Sequence, residues 1–204
     1  VSCPSGATNI FGPTSADPET GILYVGSLTG CRSENIVPGH EIDEPDDPMT
    51  TGRTIADYAV INRGDFRGPQ GLPIFKPPYS RITAIDMNTG DHVWMVPNGD
   101  GPRDHPDIAD LDLPPLGQPG RAMTLLTKSL LFVSEGDPIM VRTPPGAGSE
   151  AGKAFRAFDK ETGEEVWETS FRAGNVGSPI TYVHRDKQYI VLPIGSLDYP
   201  GEWI

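Results

Sequence analysis

Basic residues are scarce in this sequence: 16 Lys and Arg stand against 28 Asp and Glu, a formal net charge of −12. Phosphate recognition needs clustered Lys and Arg, so nucleic acid is excluded as a partner. Stretches free of Gly and Pro are also few, because 24 Gly and 22 Pro are spread over 204 residues. Both residues oppose helix interiors, so a helical bundle is excluded and a turn-rich, all-β architecture is expected. No apolar run approaches the roughly 18–20 residues of a membrane-spanning helix. The opening Val1-Ser2-Cys3-Pro4 has no signal-peptide pattern. Of the four histidines, His40, His92, His105 and His184, none has a His or Cys partner at metal-ligand spacing, so zinc is not expected. Cysteine is limited to Cys3 and Cys31. Antiparallel pairing about the turn Asp17-Pro18-Glu19-Thr20-Gly21 would bring them towards each other. A disulfide in an oxidising compartment and two buried thiols both fit.

What is present can still bury a core: 36% of residues are hydrophobic, with three Trp, six Tyr and seven Phe. The chain also repeats itself. Arg81 to Val96 reads RITAIDMNTGDHVWMV and Arg156 to Thr169 reads RAFDKETGEEVWET. Both contain Ala-x-Asp-x-x-Thr-Gly-x-x-x-Trp, as Ala84, Asp86, Thr89, Gly90, Trp94 and as Ala157, Asp159, Thr162, Gly163, Trp167. A third Asp-x-x-Thr-Gly lies at Asp17, Thr20 and Gly21 and precedes Ile22-Leu23-Tyr24-Val25. The pattern reads as a strand ending in an Asp that accepts from the amides ahead of it. A Gly at positive φ follows, and then a second strand that carries Trp.

Plain hairpins alternate with these Trp hairpins. One spans Gly12 to Ser27, a second Ala122 to Ser134 around Lys128, and a third Ser178 to Ile194 around Arg185-Asp186-Lys187. Two consecutive hairpins make a four-stranded antiparallel sheet, and repeated sheets of this kind are the blades of a β-propeller. Pro-rich loops are expected over Asn35–Met49, Asn62–Pro78 and Pro97–Pro119. The 204 residues then form one partial-propeller domain of about two and a half blades, with Trp94 and Trp167 largely buried between sheets. A propeller closes with about four to eight blades. On this reading residues 1 to 204 do not close a ring alone, and the remainder of the propeller, on the same precursor or another chain, is a necessary partner.

The repeat resembles the tryptophan-docking motif of the pyrroloquinoline quinone (PQQ) dependent dehydrogenases, an eight-bladed quinoprotein family. Leu116-Gly117-x-Pro119-Gly120-Arg121 with Leu125-x-Thr127-x-x-Leu130-Leu131-Phe132 resembles its membrane-glucose-dehydrogenase-like branch. Gly177-Ser178-Pro179-Ile180-Thr181-Tyr182 followed by Lys187-Gln188-Tyr189-Ile190 resembles the family's final blade. The resemblance implies the C-terminal portion of a periplasmic enzyme that oxidises an alcohol or sugar with PQQ and passes electrons to a quinone or cytochrome. It also implies Ca²⁺, or another divalent or lanthanide ion, held by earlier blades together with the catalytic Asp. No segment of this sequence matches those ligands. The alternative is a non-catalytic propeller of the same repeat, a protein-assembly scaffold similar to the outer-membrane assembly lipoproteins.

Three residues are carried over as cofactor contacts. Asn9, in Gly6-Ala7-Thr8-Asn9, stands where the family places a carboxamide against the quinone, which suits a group that donates and accepts at once. The bland reading is a turn Asn. Asp198 and Tyr199, in Gly195-Ser196-Leu197-Asp198-Tyr199-Pro200-Gly201, stand where alcohol-type relatives have a Gly-Trp pair over the cofactor, or else in a plain surface turn. The acidic run Glu41 to Asp47 offers oxygen ligands for Ca²⁺ but lacks the turn Gly and terminal Glu of a calcium loop, and reads better as solvated. Arg63-Gly64-Asp65 carries no specificity.

Overall fold

The computed structural model describes residues 13–41, 57–136, 152–196 and 199–204. Two four-stranded antiparallel sheets dominate. The first contains β1 (Ser15–Asp17), β2 (Ile22–Leu28), β5 (Ser80–Asp86) and β6 (His92–Pro97), in that order. The second contains β7 (Thr124–Leu126), β8 (Leu130–Ser134), β9 (Ala154–Asp159) and β10 (Glu165–Ser170). Each is a plain hairpin joined to a Trp hairpin, with Trp94 and Trp167 on the outer edge strand. Among the described residues a third unit contributes the pair β11 (Ile180–His184) and β12 (Lys187–Val191), with a short β13 (Pro193–Ile194) paired to β14 (Glu202–Trp203).

The Asp-x-x-Thr-Gly turns close as their chemistry dictates. Asp86 Oδ1 accepts from Asn88 N–H at 2.7 Å, and Gly90 N–H donates to Asp86 O at 2.7 Å. Asp159 Oδ1 accepts from Glu161 and Thr162, each at 2.9 Å, and Gly163 N–H donates to Asp159 O. The hairpins also share an irregularity. Ala84 opposes Trp94 while Ile85 opposes His92, and Ala157 opposes Trp167 while Phe158 opposes Glu165. Val93 and Val166 are therefore the extra residues of equivalent bulges, which add twist at the point where each Trp leaves its strand. The β11–β12 turn uses Arg185 and Asp186, both at positive φ (49° and 59°), the geometry that fits the twist of a two-residue hairpin.

The sheets stack through one apolar seam. Tyr24, Ile82 and Ala84 from the first sheet meet Leu131, Val133 and Phe158 from the second, with Ala122 beside them, all nearly inaccessible. Ser15 and Thr124, the first residues of β1 and β7, share a hydroxyl hydrogen bond at 2.8 Å, so the innermost strands run side by side from the same end. On the far face of the second sheet, Phe155 packs with Ala173, Leu192 and Ile194 of the third unit.

Two expectations need correction. The stretches over Asn35–Met49 and Asn62–Pro78 are not wholly loop: in the chain segment that connects β2 to β5, β3 (Arg32–Pro38) and β4 (Tyr58–Asp65) pair antiparallel as a separate two-stranded sheet. Ile36 and Tyr58, at the end of this ladder, are 71% and 68% exposed, so neither gives the buried apolar signal that a hydrophobic pattern would reveal. The second concerns Trp167, which is 48% exposed where burial was expected. Its counterpart Trp94 is half-buried and lies on the next blade's turn. Among the described residues no turn lies under Trp167.

Candidate functional site

At the turn end of the blades, Lys160 fastens the seam between the first two. Lys160 O accepts from Trp94 Nε1 and from Tyr24 Oη, each at 3.1 Å, and Lys160 Nζ donates to Asp17 Oδ2 at 2.5 Å. The indole lies over Gly163, where a Cβ would come within 2.7 Å of the Trp94 ring. Gly163 is therefore required twice, for φ +75° and for contact with the indole. The hydrogen bond from Lys160 holds the Asp17 carboxyl down at about 2, outweighing the opposing effect of burial. The same bond raises the Lys160 ammonium.

A depressed carboxyl contributes stability above its unfolded value of about 3.9, and that contribution is lost as pH falls through the folded value. The stability gap between the wild type and Asp17→Asn should therefore be level from pH 7 to 5. It should narrow below about pH 4 and close near pH 2, as followed by urea unfolding across pH. A gap independent of pH would mean that the ion pair does not hold in solution.

The other end of the blades, where β1 and β7 begin, is tied by amides and hydroxyls. Asn98 Nδ2 donates to Ser134 O at 3.0 Å, Ser134 Oγ to Asn175 Oδ1 at 3.2 Å, and Asn175 Nδ2 to Pro193 O at 3.0 Å. These three buried residues join all three units. Beside them residues 116–118 pair with 98–100, with Gly117 N–H donating to Gly99 O and Gln118 N–H to Asn98 O. A Cβ on Gly117 would fall on Ser80 backbone at 2.1 Å, which explains the glycine in Leu116-Gly117-x-Pro119-Gly120-Arg121. Arg156, within the apolar strand β9, pairs with Glu135 at 2.8 Å and with Glu168 at 2.5 Å. Burial alone would lower the guanidinium pKa, but Glu135 first, then Glu168 and Glu165, raise it.

Of the three residues proposed to contact a cofactor, Asn9 and Asp198 lie outside the described residues, as do Cys3 and the acidic run from Ile42 onwards. Tyr199 is described. Its ring packs on the Phe155–Leu192–Ile194 cluster and its hydroxyl donates to Glu202 Oε1 at 2.6 Å. Cys31 is buried and disulfide-bonded, and Cys3 is the sequence's other cysteine. His105 is tied to Gln70 O through Nε2 at 2.9 Å and accepts from Asp107 N–H through Nδ1. Among the described residues no three His, Cys, Asp or Glu side chains are grouped to hold a metal ion. The buried oxygens without a hydrogen bond, Ser80 Oγ and Asn98 Oδ1, belong to fully inaccessible residues in the seam, where no organic cofactor could reach them. The described residues thus hold blades together and do not form a complete cofactor cradle.

The repeat geometry accords with comparison to known proteins. The PQQ family described as glucose/ethanol/alcohol dehydrogenase, beta-propeller domain, matches residues 2–190. The chain belongs to this family. It is 37% identical over 143 residues to a probable quinate dehydrogenase (quinone) of Xanthomonas campestris pv. juglandis, covering 68% of this chain and 16% of that protein. It is 27% identical over 201 residues to the quinoprotein glucose dehydrogenase of Escherichia coli, covering 91% of this chain and 23% of that protein. Among solved structures, the quinohemoprotein alcohol dehydrogenase of Comamonas testosteroni superposes with a TM-score of 0.54 at 19% identity. That match covers 93% of this chain and 22% of the solved one, and supports the propeller fold. The chain therefore spans a sixth to a quarter of the length of these family members.

Sequence reasoning missed Lys160 as the clasp and the Asn98–Ser134–Asn175 chain. The signal for Arg156 was present, as a lone cation within Ala154-Phe155-Arg156-Ala157-Phe158, where a buried charge needs a partner. Nothing local marks Asn98 or Asn175, because each bonds across blades.

Proposed function

We propose that this chain is a C-terminal section of a PQQ-dependent dehydrogenase that oxidises an alcohol, polyol or sugar and delivers electrons to a quinone or cytochrome acceptor. The observation that carries the reading is the family match over residues 2–190, shared with relatives described as quinate, glucose and glycerol dehydrogenases. PQQ with a divalent or lanthanide ion is the cofactor set this implies. The bound quinone supplies an electrophilic carbonyl for the substrate's hydride. The ion and the base come from blades outside this sequence, so no catalytic role falls to the described residues. Residues 1–204 act as a single partial-propeller domain. Asn9 and the Asp198–Tyr199 loop face the cofactor, supported by strand direction: β1 begins, and β12 ends, at the same end of the blades. An extracytoplasmic location is supported by the disulfide at Cys31, since such bonds persist in oxidising compartments.

The complete protein, loaded with PQQ and Ca²⁺, should reduce an artificial electron acceptor with aldoses or polyols. No reduction with any of them would count against the dehydrogenase reading. In the same protein, Asn9→Ala should weaken PQQ binding by about several-fold to a hundred-fold, the loss of one or two hydrogen bonds, with folding unchanged. Unchanged affinity in a PQQ titration would make Asn9 a turn residue only.

A further inference from the structure

The bulge in the second Trp hairpin gathers charge as well as aiming an indole. In a regular strand, residues three apart face opposite sides of the sheet. The extra residue Val166 changes that: Glu165 stands opposite Phe158 and Glu168 opposite Arg156, so both carboxylates lie on the Arg156 face. Phe158, on the same face, belongs to the apolar seam with the first sheet. Glu168 Oε2 and Glu165 Oε2 then address one nitrogen, Arg156 Nε, at 2.5 and 3.4 Å, while Glu135 Oε1 lies 2.8 Å from Nη1. One guanidinium faces three carboxylates.

The first Trp hairpin has the same bulge without these charges. Thr83 stands at the Arg156 position, His92 at that of Glu165 and Met95 at that of Glu168. The docking geometry therefore does not call for the cluster. Its carboxylates also differ in standing. Glu135 shares the burial of Arg156, and Glu168 makes the shorter contact with Nε. Between them they take Nη1 and Nε, which leaves Glu165 surplus. The first unit adds further negative charge. Gly99, where a Cβ would lie 2.5 Å from Glu135 Oε1, brings the loop after β6 against the cluster. Its next residue, Asp100, pairs with Arg103 at 2.8 Å. Burial first, and then the like charges of Glu168, Asp100 and Glu135, raise the Glu165 carboxyl against the opposing pull of Arg156.

We propose that Glu165 makes this joint proton-responsive: as the surplus carboxylate it takes up a proton on mild acidification, and the first and second blades then hold together more tightly. The sense is opposite to that of the Asp17–Lys160 pair at the turn end, which weakens in acid. The two ends of one seam thus answer pH with opposite signs. The inference rests on the blade seam and not on the dehydrogenase reading, and its test uses neither PQQ nor turnover.

A carboxyl raised in the folded state contributes stability that is fully present below its unfolded value, about 4.3, and is lost as pH rises through the folded value. Glu165→Gln is uncharged at every pH. In urea unfolding of the 204-residue chain at pH 7, its midpoint should therefore exceed that of the wild type by roughly a few tenths of a molar. The gap should shrink as pH falls and close near pH 4. Glu164→Gln removes the same charge from the exposed neighbouring position and should leave the midpoint unchanged. In a chain carrying Glu168→Gln, Glu165 becomes the partner of Nε, and adding Glu165→Gln should give no gain. The proposal is overturned if Glu165→Gln is no more stable than the wild type at pH 7, or if its gain persists undiminished at pH 4. It is also overturned if Glu164→Gln gives the same gain, which would make net charge the cause, or if the gain survives beside Glu168→Gln.

Discussion

Replacing Arg156 by Met should cost about 3–5 kcal/mol, because it strands the carboxylate of Glu135 in the seam. Both side chains of that pair are 6% exposed, and among the described residues Glu135 would keep its bond from Gly152 N–H at 2.6 Å. No apolar rearrangement can satisfy a buried carboxylate. Glu135→Gln should be milder than Arg156→Met, since Glu168 still lies against the guanidinium. The double variant Glu135→Gln/Arg156→Met should lose clearly less than the sum of the singles, the mark of a coupled pair. Chemical denaturation with a constant m-value is the check. Additive losses would mean that the two charges fold without sensing each other.

The second large effect contrasts two glycines that the sequence presents as equals. Gly90 and Gly163 occupy the same place in the repeat, at φ +80° and +75°. A Cβ on Gly90 meets nothing within 4 Å, whereas one on Gly163 lies 2.7 Å from the Trp94 ring. Valine at Gly90 should cost only the left-handed backbone penalty, roughly 1–2 kcal/mol. Valine at Gly163 should cost that amount plus about 1–3 kcal/mol for displacing the indole. Thermal unfolding should separate the two by several degrees, with the Trp94 environment altered only in the Gly163 variant. Equal losses would remove the docking contact from the account.

Much of this architecture was legible because it is local. An Asp that caps its own turn, a Gly at positive φ and a Trp four residues later are short-range requirements, so they recur as letters at fixed spacing and identify the blades. The β3–β4 ladder left a weaker trace, since its Ile36 and Tyr58 are both largely exposed. The clasp at Lys160 could not be read at all. Its partners Asp17, Tyr24 and Trp94 come from far along the chain and are selected by sheet stacking. The expectation for Trp167 failed for an instructive reason: the motif encodes a side chain able to dock, while the dock belongs to the next blade. For the candidate site, the sequence supplied a family pattern for Asn9, Asp198 and Tyr199. The structure adds that the Tyr199 hydroxyl is already engaged with Glu202.

The central claim is that these residues are consecutive blades, sealed between the first and second and open after the second. Indole oxidation followed by peptide mass spectrometry tests it at residue level, because Trp94 lies in the sealed seam and Trp167 faces the open one. In the folded 204-residue chain, Trp167 should be modified well before Trp94, and in the complete protein Trp167 should become as protected as Trp94. Equal reactivity of the two indoles in the chain, or a Trp167 that stays reactive in the complete protein, would contradict the account.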